Sequence, residues 1–199
     1  MGINLPSTDT AENFFADYAN RLSEVLKSSF WLEVSQLALD MRVAWENGKQ
    51  VFFCGNGGSA GNAVHLANDF LYGVAKETGG GIKAVALSAN PAVITCLAND
   101  VGYDRIYCEQ LAVLGNEGDL LVVLSGSGNS PNILSVLNRA RAMNIKTYAV
   151  LGFDGGKAKT LADVAIHFPI GDMQIAEDMQ LVVGHMLMQW LFENKLSSK

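Results

Sequence analysis

The segment VFFCGNGGSAG, residues 51–61, changes character twice within a few residues. Val51–Cys54 is apolar at every position. Gly55, Gly57, Gly58 and Gly61 then dominate, and a helical pattern follows over about Ala60–Val74. A short apolar run without alternation reads as a strand covered on both faces, which belongs to a parallel sheet. The glycines let backbone approach a ligand closely. The helix start offers free N–H groups and the positive end of its dipole to an anion. Strand, glycine loop and helix in that order predict an α/β unit with an anion site at the turn.

The pattern repeats along the chain. Further apolar runs stand at Ala84–Leu87, Leu120–Leu124, Thr147–Leu151 and Val164–Phe168. Helical stretches fall at about Pro91–Ala98, Tyr103–Leu114, Pro131–Met143, Lys157–Leu161 and Gln174–Asn194. Asn90-Pro91 and Ser130-Pro131 each put a capping side chain before a proline at the first helical position. The alternation predicts an α/β fold, a doubly wound five-stranded parallel sheet. Residues 1–10 read as a loose lead-in. From about Glu12 to Asn47, Phe15, Tyr18, Leu22, Val25 and Leu26, then Leu32, Leu37, Met41 and Trp45, recur at helical steps. That is too long for one helix, so a break is predicted near Ser28-Ser29, with Gly48 ending the second helix. The expected organisation is an N-terminal helical segment, 1–48, and one compact domain, 49–199.

Composition narrows the class. The chain has 199 residues, 49% hydrophobic and 17% charged, below the charge content of about 25% usual for globular domains. A net charge of −6 lacks the basic footprint of a nucleic-acid binder and the polybasic patch of a membrane-surface protein. No apolar run approaches the ~18 residues of a membrane span. The N-terminal residues lack the basic region and apolar core of a signal peptide. Cys54, Cys96 and Cys108 form no CxxC pair, which favours reduced thiols and a cytoplasmic protein. Cys54 reads as a buried small hydrophobe.

In a doubly wound sheet, ligands sit beyond the carboxyl ends of the strands. After the third strand comes Ser125-Gly126-Ser127-Gly128-Asn129-Ser130-Pro131. Its hydroxyls and backbone N–H groups can wrap a phosphate without a lysine. No Gly-Lys-Ser/Thr follows, so it is not a Walker A loop. The dinucleotide register GxGxxG fails at Ala60, and no acid ends the second strand. Two Ser/Gly loops at neighbouring strand ends therefore predict a phosphate site.

His65 and Asp69 lie four apart and share a helix face. Histidine and carboxylate at that spacing can share a metal or shuttle a proton. His185 lies among Val182, Val183, Met186 and Met188 and by itself reads as a core residue. His167 reads as structural, and Asp154-Gly155-Gly156 as a turn.

CGNGGSAGNAVHLANDF, CLANDVGYD and LSGSGNSPNI resemble the sugar isomerase (SIS) domain, and within it the phosphoheptose isomerases, over about Leu32 to Phe192. The resemblance implies a flavodoxin-like fold. It also implies isomerisation of sedoheptulose 7-phosphate to a heptose 7-phosphate through an enediol, for heptose and surface-polysaccharide synthesis. Carried over to this chain, Ser59, Ser125, Ser127 and Ser130, with Gly57, Gly58 and Gly126, would hold the phosphate. Asn56 and Asp100 would orient the hydroxyls, and Asp69 or His185 would move the proton. Where the family has a histidine and a glutamate, this chain has His65 and Asp69, whose carboxylate sits about 1.5 Å further back. Where the last helix has a histidine with a glutamine eight residues earlier, this chain has His185 and Glu177. His65, Asp69, Glu177 and His185 would then hold one zinc per subunit, with Glu177 also near substrate and Asp178 competing for its place. Gly73 stands where the family often has a basic residue. Related isomerases are homotetramers with sites between subunits, so the resemblance implies a homotetramer in which His185 or Glu177 approaches a neighbour's His65 loop. The apolar character of Phe14, Phe15, Phe30, Trp31, Trp45 and the stretch Leu181–Leu191 agrees with buried helix faces. The different reading is a non-catalytic SIS module binding a sugar phosphate or a protein partner, like the related replication-initiation regulator. Retention of both His65 and His185 favours the enzyme.

Overall fold

The structure is a computed structural model that describes residues 8–28, 31–76 and 79–196. The elements run α1 (Thr8–Ser28), α2 (Leu32–Glu46), β1 (Gln50–Gly55), α3 (Gly58–Leu71), β2 (Lys83–Ala86), α4 (Pro91–Asp100), α5 (Cys108–Leu114), β3 (Leu120–Ser125), α6 (Pro131–Ala142), β4 (Lys146–Leu151), α7 (Ala158–Leu161), β5 (Val164–His167) and α8 (Met173–Glu193). Single 3₁₀ turns lie at Gly73–Ala75 and Tyr103–Arg105.

The α1 helix forms one compact unit, and the residues from Trp31 onward form another. The described residues of α1 begin at Thr8, so it takes in residues before Glu12, and it carries Arg21–Asp17 and Lys27–Glu24 pairs at 2.8 and 3.3 Å. Phe14 and Phe15 are exposed on it. Of the predicted break, Ser29 lies outside the described residues, as does Phe30; α1 ends at Ser28 and α2 begins at Leu32. The second unit takes in α2, so its start at Trp31 does not coincide with the expected boundary at residue 49. The reason is packing: Val34, Leu37, Ala38 and Met41 of α2 are buried, against β1, β5 and α8. Trp45 is buried as well, and its indole N–H donates to Gly80 O at 2.9 Å.

All five strands are parallel, in the order β2-β1-β3-β4-β5. All six residues of β3 are buried, which is why the strands read as unbroken apolar runs. On one face Phe53 stacks on Phe70 of α3, with centroids 5.5 Å apart and planes within 6°. The α2 and α3 helices cover this face, and α8 packs against both. On the other face Phe52, Cys54, Leu121 and Val123 share a core with Leu111 of α5, Ile133, Val136 and Leu137 of α6, and Ala158 of α7.

Boundaries differ from expectation where the chain must tighten. The third helix stops at Leu71, and the stretch expected as one helix over Tyr103–Leu114 is a 3₁₀ turn followed by α5. Between those two pieces Tyr107 turns inward and donates its hydroxyl to Gly55 O. Asn90 caps α4 as expected, accepting from Ala92 N at 3.1 Å and Val93 N at 3.3 Å. Ser130 makes no cap bond through its side chain. Among the described residues no helix is long and apolar enough to cross a membrane.

Candidate active site

The β1 and β3 strands are neighbours, so the loops leaving their carboxyl ends face one another. They frame a crevice of about 280 Å³ lined by Asn56, Gly57, Gly58, Ser59, Ser125, Gly126, Ser127, Ser130 and Glu177. Among the described residues, no lysine or arginine lines it. Donors come instead from the α3 start and from hydroxyls. Ser125 Oγ accepts from Gly128 N at 3.1 Å, and Ser127 Oγ accepts from Asn129 N at 3.4 Å. Each bond uses a lone pair and leaves the hydroxyl hydrogen for an incoming anion. Ser130, without its expected cap bond, keeps its whole hydroxyl for the crevice.

A polar network fixes this frame. Asn56 and Asn132 exchange amide bonds at 2.8 and 2.7 Å, joining the first loop to α6. Tyr103 Oη donates to Asn56 Oδ1 at 3.2 Å. The Tyr107 phenol is pushed well above its ordinary pKa by burial, so it remains the donor to Gly55 O. Ser59 is buried, and its Oγ accepts from Gln180 Nε2 of α8 at 3.0 Å. Asn62 Nδ2 in turn donates to Gln180 Oε1 at 3.0 Å and to Glu177 O at 3.1 Å. Sequence reasoning missed Asn132, Gln180, Tyr103 and Tyr107. A usable signal existed for Gln180, an uncharged polar residue on the buried face of an apolar helix.

Three of the four expected metal ligands come together. His65 Nε2 and His185 Nε2 are 2.9 Å apart. Asp69 Oδ2 lies 3.4 Å from the first and 3.7 Å from the second. The shorter carboxylate of Asp69 therefore still closes the triad. A tetrahedral zinc with ligand bonds of about 2.0–2.1 Å separates its donors by roughly 3.3 Å. Two imidazoles and a carboxylate at these spacings fit that ion, and three protein ligands are the pattern of a catalytic site with an open position. The triad closes within one chain, so His65 needs no neighbour's His185 to meet it.

Glu177 does not join the triad. The α3 and α8 helices run side by side, with residue 177 level with 58–62 and residue 185 level with 65. The Glu177 carboxylate lies over Gly58, where a Cβ would stand 2.6 Å from its carboxyl carbon. It makes no hydrogen bond to a described residue and faces the crevice. Asp178 is likewise outside the triad. Asp100 ends α4, exposed and away from the crevice lining. Bonds from Asn99 Nδ2 at 2.8 Å and Cys96 Sγ at 3.4 Å hold its carboxyl below its ordinary pKa. Gly73 sits beside the triad, where a Cβ would come 3.9 Å from Asp69 Cβ. Cys54 is fully buried, and burial raises its thiol pKa, so it has no part in proton transfer.

The crevice thus lies at the strand switch point between β1 and β3, with two imidazoles and a carboxylate further along the same helix pair. Residues 13–152 match the model of the SIS domain family. Phosphoheptose isomerase of Nitratidesulfovibrio vulgaris (strain DSM 19637 / Miyazaki F) is 33% identical over 96% of this chain and 94% of its own length. That of Helicobacter pylori (strain P12) is 37% identical over 83% and 82%. A solved phosphoheptose isomerase from Neisseria gonorrhoeae superimposes with a TM-score of 0.83, at 28% identity, over 93% of this chain and 98% of that one. The chain belongs to the phosphoheptose isomerase family of SIS-domain proteins.

The position of Glu177 has a measurable consequence. A carboxylate facing an anion crevice opposes a phosphate dianion. Glu177→Gln should tighten binding of inorganic phosphate by about 1 kcal/mol, roughly fivefold, in titration calorimetry. Unchanged or weaker binding would place the anion away from Glu177.

Proposed function

We propose that the chain is a ketose–aldose isomerase that converts sedoheptulose 7-phosphate to a heptose 7-phosphate. The observation that carries this reading is the spacing of two chemistries on one helix. The α3 helix starts in the phosphate crevice at Gly58 and presents His65 seven residues later, about 10 Å along its axis. An extended seven-carbon sugar phosphate, with C–C bonds of about 1.5 Å, spans roughly 10 Å from phosphorus to C1. Phosphate held by Ser59, Ser125, Ser127 and Ser130 thus puts the carbonyl end within reach of the triad. Anchoring the remote phosphate supplies binding energy that positions the reacting carbons.

Moving the carbonyl between C2 and C1 requires removal of a proton from one carbon and its return to the next through a cis-enediol. Asp69 or His185 is the group proposed to take and return it; with zinc on the triad, the second carboxylate oxygen of Asp69 would be the one left free to act as base. His65, Asp69 and His185 would hold zinc, which when bound supplies Lewis-acid stabilisation of the developing oxyanion. Asn56, locked by Asn132 and Tyr103, would orient a sugar hydroxyl. Glu177, which lines the crevice, would accept from another hydroxyl. The complete triad supports catalysis over a purely binding module.

The purified protein should convert sedoheptulose 7-phosphate to an aldose phosphate and should carry zinc. His65→Ala and His185→Ala should each remove most of the zinc, measured by plasma emission, and lower kcat by at least about 10²-fold. Full turnover by the double variant would overturn this role for the triad.

The reading includes a cytoplasmic homotetramer. Leu32, Leu39 and Val43 on α2 and Met186 and Trp190 on α8 are exposed. Of these, Leu39, Met186 and Trp190 line an apolar groove of about 290 Å³. Soluble monomers seldom leave such patches open. Sedimentation at micromolar concentration should give the mass of four chains; a fully active monomer would contradict this assembly.

A further inference from the structure

The Ser125–Ser130 loop is held from outside by the turn that follows β4, a segment the sequence reading left without a role. Gly152 N donates to Gly126 O at 3.0 Å, and Ala158 N to Gly128 O at 2.9 Å. Between them stands Asn129. Its Nδ2 donates to Ser127 O at 3.1 Å, and its Oδ1 accepts from Lys157 N at 3.1 Å. One side chain therefore ties the central serine of the loop to the neighbouring turn. The approach is close enough to require glycine. A Cβ at Gly156 would stand 2.6 Å from Asn129 Nδ2, and its φ of +53° is one that glycine takes without strain.

The turn itself is pinned. Phe153 has φ +46°, an uncommon conformation for a bulky residue, which surrounding contacts must maintain. Its N–H donates to Ile170 O at 3.0 Å, and its carbonyl accepts from His167 Nε2 at 3.0 Å. The carbonyl can only accept, so His167 carries its proton on Nε2. A chain of contacts thus runs from β5 through Phe153 and the glycine turn to Ser127.

We propose that Asn129 is a positioning residue for substrate phosphate, with residues 152–158 as the brace it grips. This rests on the reading of the crevice as a phosphate site. Asn129 does not line the crevice, so it acts through Ser127. A site without a cation depends on donors already aimed before the anion arrives. With the staple gone, the loop must be ordered at the expense of binding, and the carbonyl chemistry at the far end is untouched.

The test uses the full chain with Asn129→Ala and Gly156→Ala. Asn129 is exposed, so the first variant leaves the core intact; the second pushes on the staple from the other side. The readouts are KM and kcat for sedoheptulose 7-phosphate, the Kd of inorganic phosphate, and the melting temperature. KM and the phosphate Kd should rise about five- to tenfold in both variants, with kcat within about twofold of wild type. Unchanged KM and Kd with only a lower melting temperature would overturn the proposal, since that is what a purely structural contact gives. The phosphate arm separates the two readings. A wild type that binds phosphate without isomerising the sugar overturns the isomerase assignment, while a raised Kd in the variants still supports the brace.

Discussion

The parallel pairing of β1 with β3 is the constraint on which the rest depends. The two strands run in register from Val51 opposite Leu120 to Gly55 opposite Leu124. That register ends both strands at the same level, so the Gly55 loop and the Ser125 loop leave the sheet side by side. A slip of one residue would exchange the faces of β1 and exchange Phe53, stacked on Phe70, with Phe52 and Cys54 of the opposite core. Buried Asp119 guards the register from the other end. It accepts from Gln50 N at 2.9 Å and from Asn116 N at 2.8 Å. Two apolar cores and one buried carboxylate thus fix the crevice before any ligand arrives.

A second alignment, of α3 against α8, sets where the chemistry falls. It is held by the Ser59–Gln180–Asn62 network and by the bare backbone of Gly184, which Leu66 packs against. Removing either partner of the buried Gln180–Ser59 bond would leave an unsatisfied polar group, a cost of about 1–3 kcal/mol. The same alignment brings His185 to His65 and carries Glu177 to Gly58. The His65–Asp69–His185 triad and the serine-lined crevice are thereby separated along one helix pair.

The strands were legible because burial on both faces writes an unbroken apolar run, and the loops because glycine and serine cluster at strand ends. His65 and Asp69 were legible as a pair because helical spacing places them on one face. The level of one helix against another was not legible. Periodicity tells which way Glu177 and His185 point, but not which residues of α3 they meet, so Glu177 was expected with the metal and lies over Gly58. Nor were the supporting amides. Asn129 sits in a serine-rich loop and Asn132 in the first turn of the helix that follows it, where a polar residue is ordinary, and their partners are 28 and 76 residues away. The inclusion of α2 in the second unit was hidden as well, since an amphipathic helix does not announce which sheet it covers.

The central claim is that a sugar phosphate anchored between the two loops exchanges a carbon-bound proton at the triad. Proton NMR of sedoheptulose 7-phosphate turning over in heavy water tests it most directly. An enediol whose proton passes through Asp69 or His185 predicts solvent deuterium at C2 of the heptose 7-phosphate and at C1 of recovered ketose. Product formed with no deuterium at either carbon, or no product at all, would contradict the account.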